Sequence, residues 1–206
     1  MCKEPINACI LAAGIGSRMG RTKQLLPFSE KPMLQHVIDK VLTFPFHHVY
    51  GVIGHEYEEI MKNVQVRDER FSWLINHAYK EGQSTSLKKV FQVSSQPFVI
   101  FLGDVLFIQD NTINRILEDS QQYACNDTPI FIRPIHEGIV GHPVYVKNIP
   151  PQIVDQLHGD EGLRAIQTEQ MKRAFIEVDD PFIHDDIDTF EQYKVALAKW
   201  HNGEYD

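Results

Sequence analysis

A short apolar run, Ile6 to Leu11, gives way to Leu-Ala-Ala-Gly-Ile-Gly-Ser-Arg-Met-Gly-Arg-Thr-Lys-Gln-Leu-Leu-Pro, residues Leu11 to Pro27. A buried strand that ends in glycines and cations, with Pro27 arriving before any helical pattern, must leave the sheet through a long irregular loop from Ala12 to Lys23. Loops of that length in compact domains are usually functional or disordered. Gly14, Gly16 and Gly20 allow positive φ and close backbone approach, so that N–H groups can turn toward phosphate oxygens. Arg18, Arg21 and Lys23 supply the opposing charge, and the pattern predicts a cradle for a nucleoside triphosphate.

Two familiar phosphate-binding patterns do not fit. A Walker loop requires G-x-x-x-x-G-K-[ST], whereas Gly20 is followed by Arg21-Thr22 and preceded five residues earlier by Ile15. The dinucleotide fingerprint G-x-G-x-x-G fails because Met19 stands at the third glycine.

Further along, short apolar runs alternate with amphipathic stretches. The runs are Asn7–Leu11, Val49–Ile53, Ser72–Ile75, Phe98–Leu102, Pro129–Arg133, Pro143–Val146 and Ala174–Val178. Met33, Leu34, Val37, Ile38, Val41 and Leu42 recur at helical spacing behind Pro32, and further helices are expected over Ser84–Val93, Asn111–Tyr123 and Phe190–Trp200. This alternation predicts one α/β domain over residues 1–206, a three-layer α/β/α arrangement with a mostly parallel central sheet. Ligands of such sheets bind at the carboxyl ends of the strands, which directs attention to the residues after Leu11 and Leu102.

With 206 residues and 43% hydrophobic content, the chain can bury a sizeable core. A net charge of −8 argues against nucleic acid or an anionic membrane as partner, since both reward a basic face. Cys2, Cys9 and Cys125 lack metal-type or C-x-x-C spacing, and an odd count suits a reducing compartment. Cys9 is expected to be a buried strand residue. No signal-like or membrane-spanning stretch is present, so a cytoplasmic location is expected.

The apolar strand Phe98–Leu102 ends in Gly103-Asp104, which places Asp104 beside the first loop. A carboxylate there can hold Mg²⁺, the usual partner of a triphosphate, or serve as a turn or N-cap residue. In His184-Asp185-Asp186-Ile187-Asp188-Thr189, Asp188 or Thr189 can cap the last helix, with Glu191 in its first turn. Glu81-Gly82-Gln83-Ser84-Thr85-Ser86-Leu87 opens the second helix, and Ser84 or Ser86 can act as its cap. None of the ten histidines has zinc-protease spacing, and His47-His48 reads as a solvated turn. No G-x-S-x-G nucleophile elbow occurs.

Ala12-Ala13-Gly14-x-Gly16-x-Arg18-Met19-Gly20-x-x-Lys23-x-Leu25-Leu26-Pro27 resembles the signature of the molybdenum cofactor cytidylyltransferases, within the nucleotide-diphospho-sugar transferase superfamily. The Ala-Ala-Gly form is similar to the cytidine-using branch. The resemblance implies that Leu11, Ala12, Ala13, Gly14, Gly16 and Ser17 hold the nucleotide, that Arg18 and Lys23 act catalytically on its phosphates, and that Gly82 and Ser86 lie against base and ribose. It implies Asp104 and Asp188 as ligands of Mg²⁺, with Asp186 the alternative to the second. Gly141, His142, Pro143 and Arg164 are implied as contacts to the second substrate, although His142 can equally be a packed strand-entry histidine. Val105-Leu106 stands where the family has a turn proline, and Val140 where it has an arginine, a loss that Arg133 or Arg164 can make good. The implied substrates are CTP and a molybdopterin-type phosphate, with a molybdenum hydroxylase as recipient. A sugar- or alcohol-phosphate nucleotidyltransferase and a non-catalytic cofactor chaperone are the alternatives.

Overall fold

The computed structural model describes residues 4–16, 22–166, 168 and 171–205. Strand β1 (Asn7–Leu11) runs into the glycine-rich loop, which returns through a 3-10 turn at Lys23–Leu25 and a small hairpin of β2 (Pro27–Phe28) and β3 (Lys31–Pro32). Then come α1 (Met33–Leu42), β4 (Val49–Ile53), α2 (Tyr57–Asn63), β5 (Phe71–Ile75), α3 (Gln83–Val93) and β6 (Phe98–Leu102). The second half comprises α4 (Asp110–Ser120), β7 (Ile130–His136), β8 (Ile139–Val140), β9 (Val144–Lys147), α5 (Pro151–Asp155), α6 (Leu163–Ile166), β10 (Lys172–Glu177) and α7 (Phe190–His201).

The sheet is ordered β10-β7-β9-β6-β1-β4-β5, with β8 paired to β7. Its parallel half is continuous: β1 pairs in parallel with β4 on one side and β6 on the other, with Leu11 level with Val52 and Leu102. Strand β9 is inserted antiparallel between β6 and β7, so that its start, not its end, reaches the edge where the parallel strands finish. The mostly parallel sheet expected from the pattern is therefore present. The direction of the Pro143–Val146 run could not be read from hydrophobicity, because an apolar run is the same in either sense.

Side-chain alternation along the strands divides the interior into two cores. Ala8, Ile10, Val49, Ile53, Val99 and Phe101 face α1, α4 and α7, whereas Cys9, Leu11, Val52, Phe98 and Ile100 face α3 and α6. Helix α1 has Pro32 as N-cap and buries Met33, Leu34, Val37, Ile38 and Val41. Each such side chain is worth about 1.5–3 kcal/mol relative to exposure. Cys9 is fully buried, as expected, and burial pushes its thiol pKa well above the usual range. Several boundaries move by one to three residues, and α4 gives way to a 3-10 turn over Gln121–Tyr123. Helix α2, which buries only Ile60, had too little apolar periodicity to be anticipated. His47 is exposed, but His48 is half-buried and its Nε2 lies 3.0 Å from Ser72 Oγ, so the pair is not wholly a solvated turn. No described helix is long and apolar enough to cross a membrane.

Asp180 ties the late segment to the start of α4. Only 1% exposed, it accepts hydrogen bonds from Gln109 N (2.8 Å), Thr112 Oγ1 (2.7 Å) and Phe182 N (3.0 Å). Asp180→Ala leaves three donors unsatisfied and should cost roughly 3 kcal/mol. Urea unfolding checks this: the midpoint should fall with an unchanged slope, and an unaltered midpoint would contradict the role given to Asp180.

Candidate active site

The first loop leaves β1 at the carboxyl edge of the sheet. Ala12 N donates to Val52 O (2.8 Å) and Gly103 N donates to Leu11 O (2.9 Å), which fixes the loop's root between β4 and β6. A Cβ on Gly103 would come within 2.8 Å of Ala12 Cβ, so glycine there permits the close approach of the two strand ends. Gly16 has φ +62, as the loop pattern requires. Gly14 does not adopt positive φ; nothing lies within 4 Å of where its Cβ would sit, so its lack of a side chain keeps space open. Ser17, Arg18 and Gly20 lie outside the described residues.

Gln24 was not singled out by the sequence, yet it holds the loop in shape. Buried in the 3-10 turn, it donates from Nε2 to Ala12 O (2.7 Å) and Gly14 O (3.1 Å). The available signal was an amide before the apolar Leu25-Leu26.

Lys23 joins two carboxylates that are far apart in sequence. Its Nζ lies 2.6 Å from Asp104 Oδ2 and 2.7 Å from Asp188 Oδ1. The connection is built by the backbone, where Ile187 N donates to Asp104 O at 3.1 Å. Thr189 is the N-cap of α7 and forms a capping box with Gln192, so the cap is made without the Asp188 carboxylate. Burial alone would lower the Lys23 pKa, but the Asp104 and Asp188 carboxylates outweigh it and the pKa is raised. Asp186 lies alongside. Burial, followed by the Asp188 and Asp104 charges, raises its carboxyl pKa, and it hydrogen-bonds with Asp188.

Asp104 and Asp188 fit a divalent cation. Asp104 Oδ1 is buried and has no hydrogen-bond partner, and both carboxylates contact Lys23 Nζ, Asp104 through Oδ2 and Asp188 through Oδ1. Two carboxylates completed by substrate phosphates are a common magnesium environment. Among the described residues no cluster of three or more such side chains forms a self-sufficient metal cage.

Three adjoining cavities share these walls. One of about 300 Å³ is lined by Gly14, Gly16, Lys23, Gln24, Asp104 and Asp188. The next, about 490 Å³, runs from Ala13, Gly14 and Gly16 to Tyr79, Gly82, Gln83 and Ser86. The third, about 440 Å³, is lined by Arg133, Gly141, His142, Arg164 and Asp186, and shares Gln83, Leu102 and Asp160 with the second. Gly82 and Ser86 thus share a cavity with the first loop, while Gly141, His142 and Arg164 gather in the third. Pro143 follows His142 through a cis peptide bond.

Neither Ser84 nor Ser86 caps α3. The N-cap is Gly82 (φ +108), and Ser84 N donates to Gly159 O at 3.0 Å. A Cβ on Gly82 would fall 2.1 Å from Gly159, so a glycine is needed where these two segments cross. Both serines are buried, and Ser86 Oγ accepts from Asn76 Nδ2 at 3.0 Å.

His142 is held by both its backbone and its ring. Its N–H donates to Ile183 O (2.7 Å), and burial first, then the Arg133 charge, lowers its pKa to about 4. An unfolded imidazole titrates near 6.5. As pH falls, the unfolded chain therefore takes up this proton first, and the stability contributed by the neutral ring is complete above about pH 6.5 and lost toward about pH 4. The stability difference between the protein and His142→Gln should accordingly shrink between pH 7 and pH 4.5 in urea titrations. A difference independent of pH would refute the assignment.

The sheet order, the glycine loop and the paired carboxylates define the class: an α/β/α nucleotidyltransferase domain of the nucleotide-diphospho-sugar transferase superfamily. Within it, the chain belongs to the family of the MobA-like NTP transferase domain, whose model matches residues 8–174. The bifunctional protein GlmU of Paraburkholderia phytofirmans is 31% identical over 179 residues, covering 82% of this chain and 39% of that protein. The chain spans about a quarter to two-fifths of the length of the GlmU relatives it matches. Rv0371C of Mycobacterium tuberculosis H37Rv, solved in complex with manganese, superposes with a TM-score of 0.76 at 21% identity, over 95% of this chain and 98% of that one. Molybdopterin-guanine dinucleotide biosynthesis protein A of Archaeoglobus fulgidus gives 0.71 at 14% identity, over 95% and 99%. At these identities the likeness establishes the shared fold.

Proposed function

We propose that this chain transfers CMP from CTP to the phosphate of molybdopterin and releases pyrophosphate, in the manner of molybdenum cofactor cytidylyltransferases. The observation that carries this reading is the meeting of Asp104 and Asp188 at Lys23, on the wall of the cavity beneath the glycine loop. The Ala12-Ala13-Gly14 form of the loop supports cytidine as the base.

An oxygen of the acceptor phosphate attacks the α-phosphorus. A new P–O–P bond forms, the bond to the β-phosphate breaks, and its electron pair leaves with pyrophosphate. The attacking phosphate monoester is already ionised at neutral pH, so no general base is required. What the residues supply is position and charge. Loop N–H groups from Ala12 to Gly16, with Ser17 and Arg18, bind the phosphates, and Lys23 offsets charge on the departing pyrophosphate. Gly82 and Ser86 line the cavity that would take base and ribose, and Ser86 offers them a hydroxyl. Gly141, His142, Pro143 and Arg164 orient the acceptor. Asp104 and Asp188 would hold Mg²⁺, which when bound neutralises the triphosphate and polarises its α-phosphoryl group. The nucleotide product would pass to a molybdenum hydroxylase.

Pyrophosphate release from each of the four NTPs with Mg²⁺, with and without molybdopterin, tests the reading. Release is expected with CTP and only when molybdopterin is present. Turnover with sugar phosphates instead would move the acceptor assignment, and CTP binding without turnover under any combination would favour a cofactor chaperone.

A further inference from the structure

Strand β10 ends the main sheet on one side, and no described strand lies beyond it. It pairs in parallel with β7, Lys172 level with Ile130 and Phe175 with Arg133. Lys172 N donates to Pro129 O (2.9 Å) and Val178 N to Ile135 O (3.0 Å). Backbone groups alternate in direction along a strand, so Lys172, Ala174, Ile176 and Val178 turn theirs to β7, whereas Arg173, Phe175 and Glu177 turn theirs outward. The side chains of these last three share one face of the strand. All three are exposed, Phe175 by 55%.

An exposed, regular edge is a template for another strand, and proteins that leave one unused commonly interrupt it with proline or a bulge. Lys172–Glu177 contains neither proline nor glycine, and its register with β7 runs without a break. Charge decides what fits it. The outward positions read positive, apolar, negative: Arg173, Phe175, Glu177. An antiparallel copy centred on Phe175 sets Arg173 of each chain opposite Glu177 of the other, with the two Phe175 rings side by side, at the positions that exchange N–H···O=C bonds. A parallel copy in register would set like charges together at both ends, which is repulsive. On the opposite face Ile176 and Val178 are already buried, and Lys172 Nζ lies 4.8 Å from the centre of the Tyr123 ring, so the pairing draws on the exposed set alone.

We propose that β10 is a homodimer interface: two copies of this chain join their sheets edge to edge through antiparallel β10 strands, Arg173 opposite Glu177 and Phe175 against its own copy. The contact is isologous, about a twofold axis normal to the sheet, and it closes on itself rather than building a fibre. It would form whichever reaction the Asp104–Asp188 site performs.

Sedimentation velocity on the full chain should show a dimer that builds up between about 1 and 100 µM, the range expected of a small interface. Arg173→Glu and Glu177→Arg should each weaken self-association about tenfold or more, because each change enters the dimer twice and brings like charges together. Mixed in equal amounts, the two variants should associate again, since the acidic edge of one then faces the basic edge of the other. That recovery also shows that both variants fold. In the parent, raising the concentration should slow hydrogen exchange at the Phe175 and Glu177 amides and leave Ala174 and Ile176, already turned to β7, little changed. A parent that stays monomeric to about 100 µM overturns the interface and leaves the edge to a strand from a different protein. A dimer indifferent to both charge reversals, or variants that fail to associate when mixed, overturns it as well.

Discussion

Asp104→Asn is expected to lower pyrophosphate release by about three orders of magnitude while leaving the fold intact. The magnitude is that of removing a preorganised charge from the reacting centre. The expectation of an intact fold comes from the local electrostatics: Asp104 is one of three carboxylates with Asp186 and Asp188, and Lys23 keeps Asp188 as a partner at 2.7 Å when the charge on Asp104 is removed. Asparagine retains an oxygen for Lys23 but not the buried, unpartnered anionic Oδ1. Mn²⁺ binding followed by electron paramagnetic resonance should weaken in parallel with turnover. A variant that keeps turnover within tenfold of the parent would remove Asp104 from the centre.

Lys23→Ala shows the opposite stability signature. Turnover should fall by about two to three orders of magnitude, because charge on the departing pyrophosphate loses its counter-ion. CTP affinity measured by calorimetry should fall much less, since base and ribose contacts from Gly82 and Ser86 remain. Here the protein without metal is also destabilised. Asp104 and Asp188 each lose the ammonium that lies 2.6 and 2.7 Å from them, at a cost of about 2 kcal/mol, the figure being small because Asp188 remains 37% exposed. Thermal unfolding should therefore occur lower than in the parent and recover on addition of Mn²⁺ or Mg²⁺. A phenotype confined to weaker CTP binding, or a loss of stability that divalent cations do not repair, would contradict the bridging role of Lys23.

These residues also mark how much the sequence could convey. Local rules were enough for β1, β6 and α1: a buried strand reads as a continuous apolar run, and Pro32 with a 3.6-residue apolar pattern reads as a helix start. They were enough for the position of Asp104, which follows from the end of an apolar strand. The proximity of Asp188 was implied by family resemblance rather than by any local pattern, because it depends on a backbone hydrogen bond between Ile187 and Asp104, 83 residues apart by subtraction. Gln24 was missed for a related reason, as its two acceptors are loop carbonyls placed by the turn itself. The serines in the first turn of α3 read as caps by composition, but Gly159 from a distant segment supplies the capping oxygen. The antiparallel sense of β9 was invisible because strand direction leaves no trace in apolar patterning.

That inverted strand has a consequence for how such a domain can change. The glycine loop, Lys23 and Asp104 hang from β1 and β6, whereas Gly141 and His142 are delivered by the meander from β7 to β9, which lies between β6 and the edge strand β10. On the proposed reading, exchange of residues 130–147 for a hairpin that keeps the pairings to β6 and β10 should alter the acceptor while leaving the donor apparatus in place. Substitution of one contiguous segment inside the sheet would then be a route to new acceptors on the proposed reading, open both to natural divergence and to deliberate redesign.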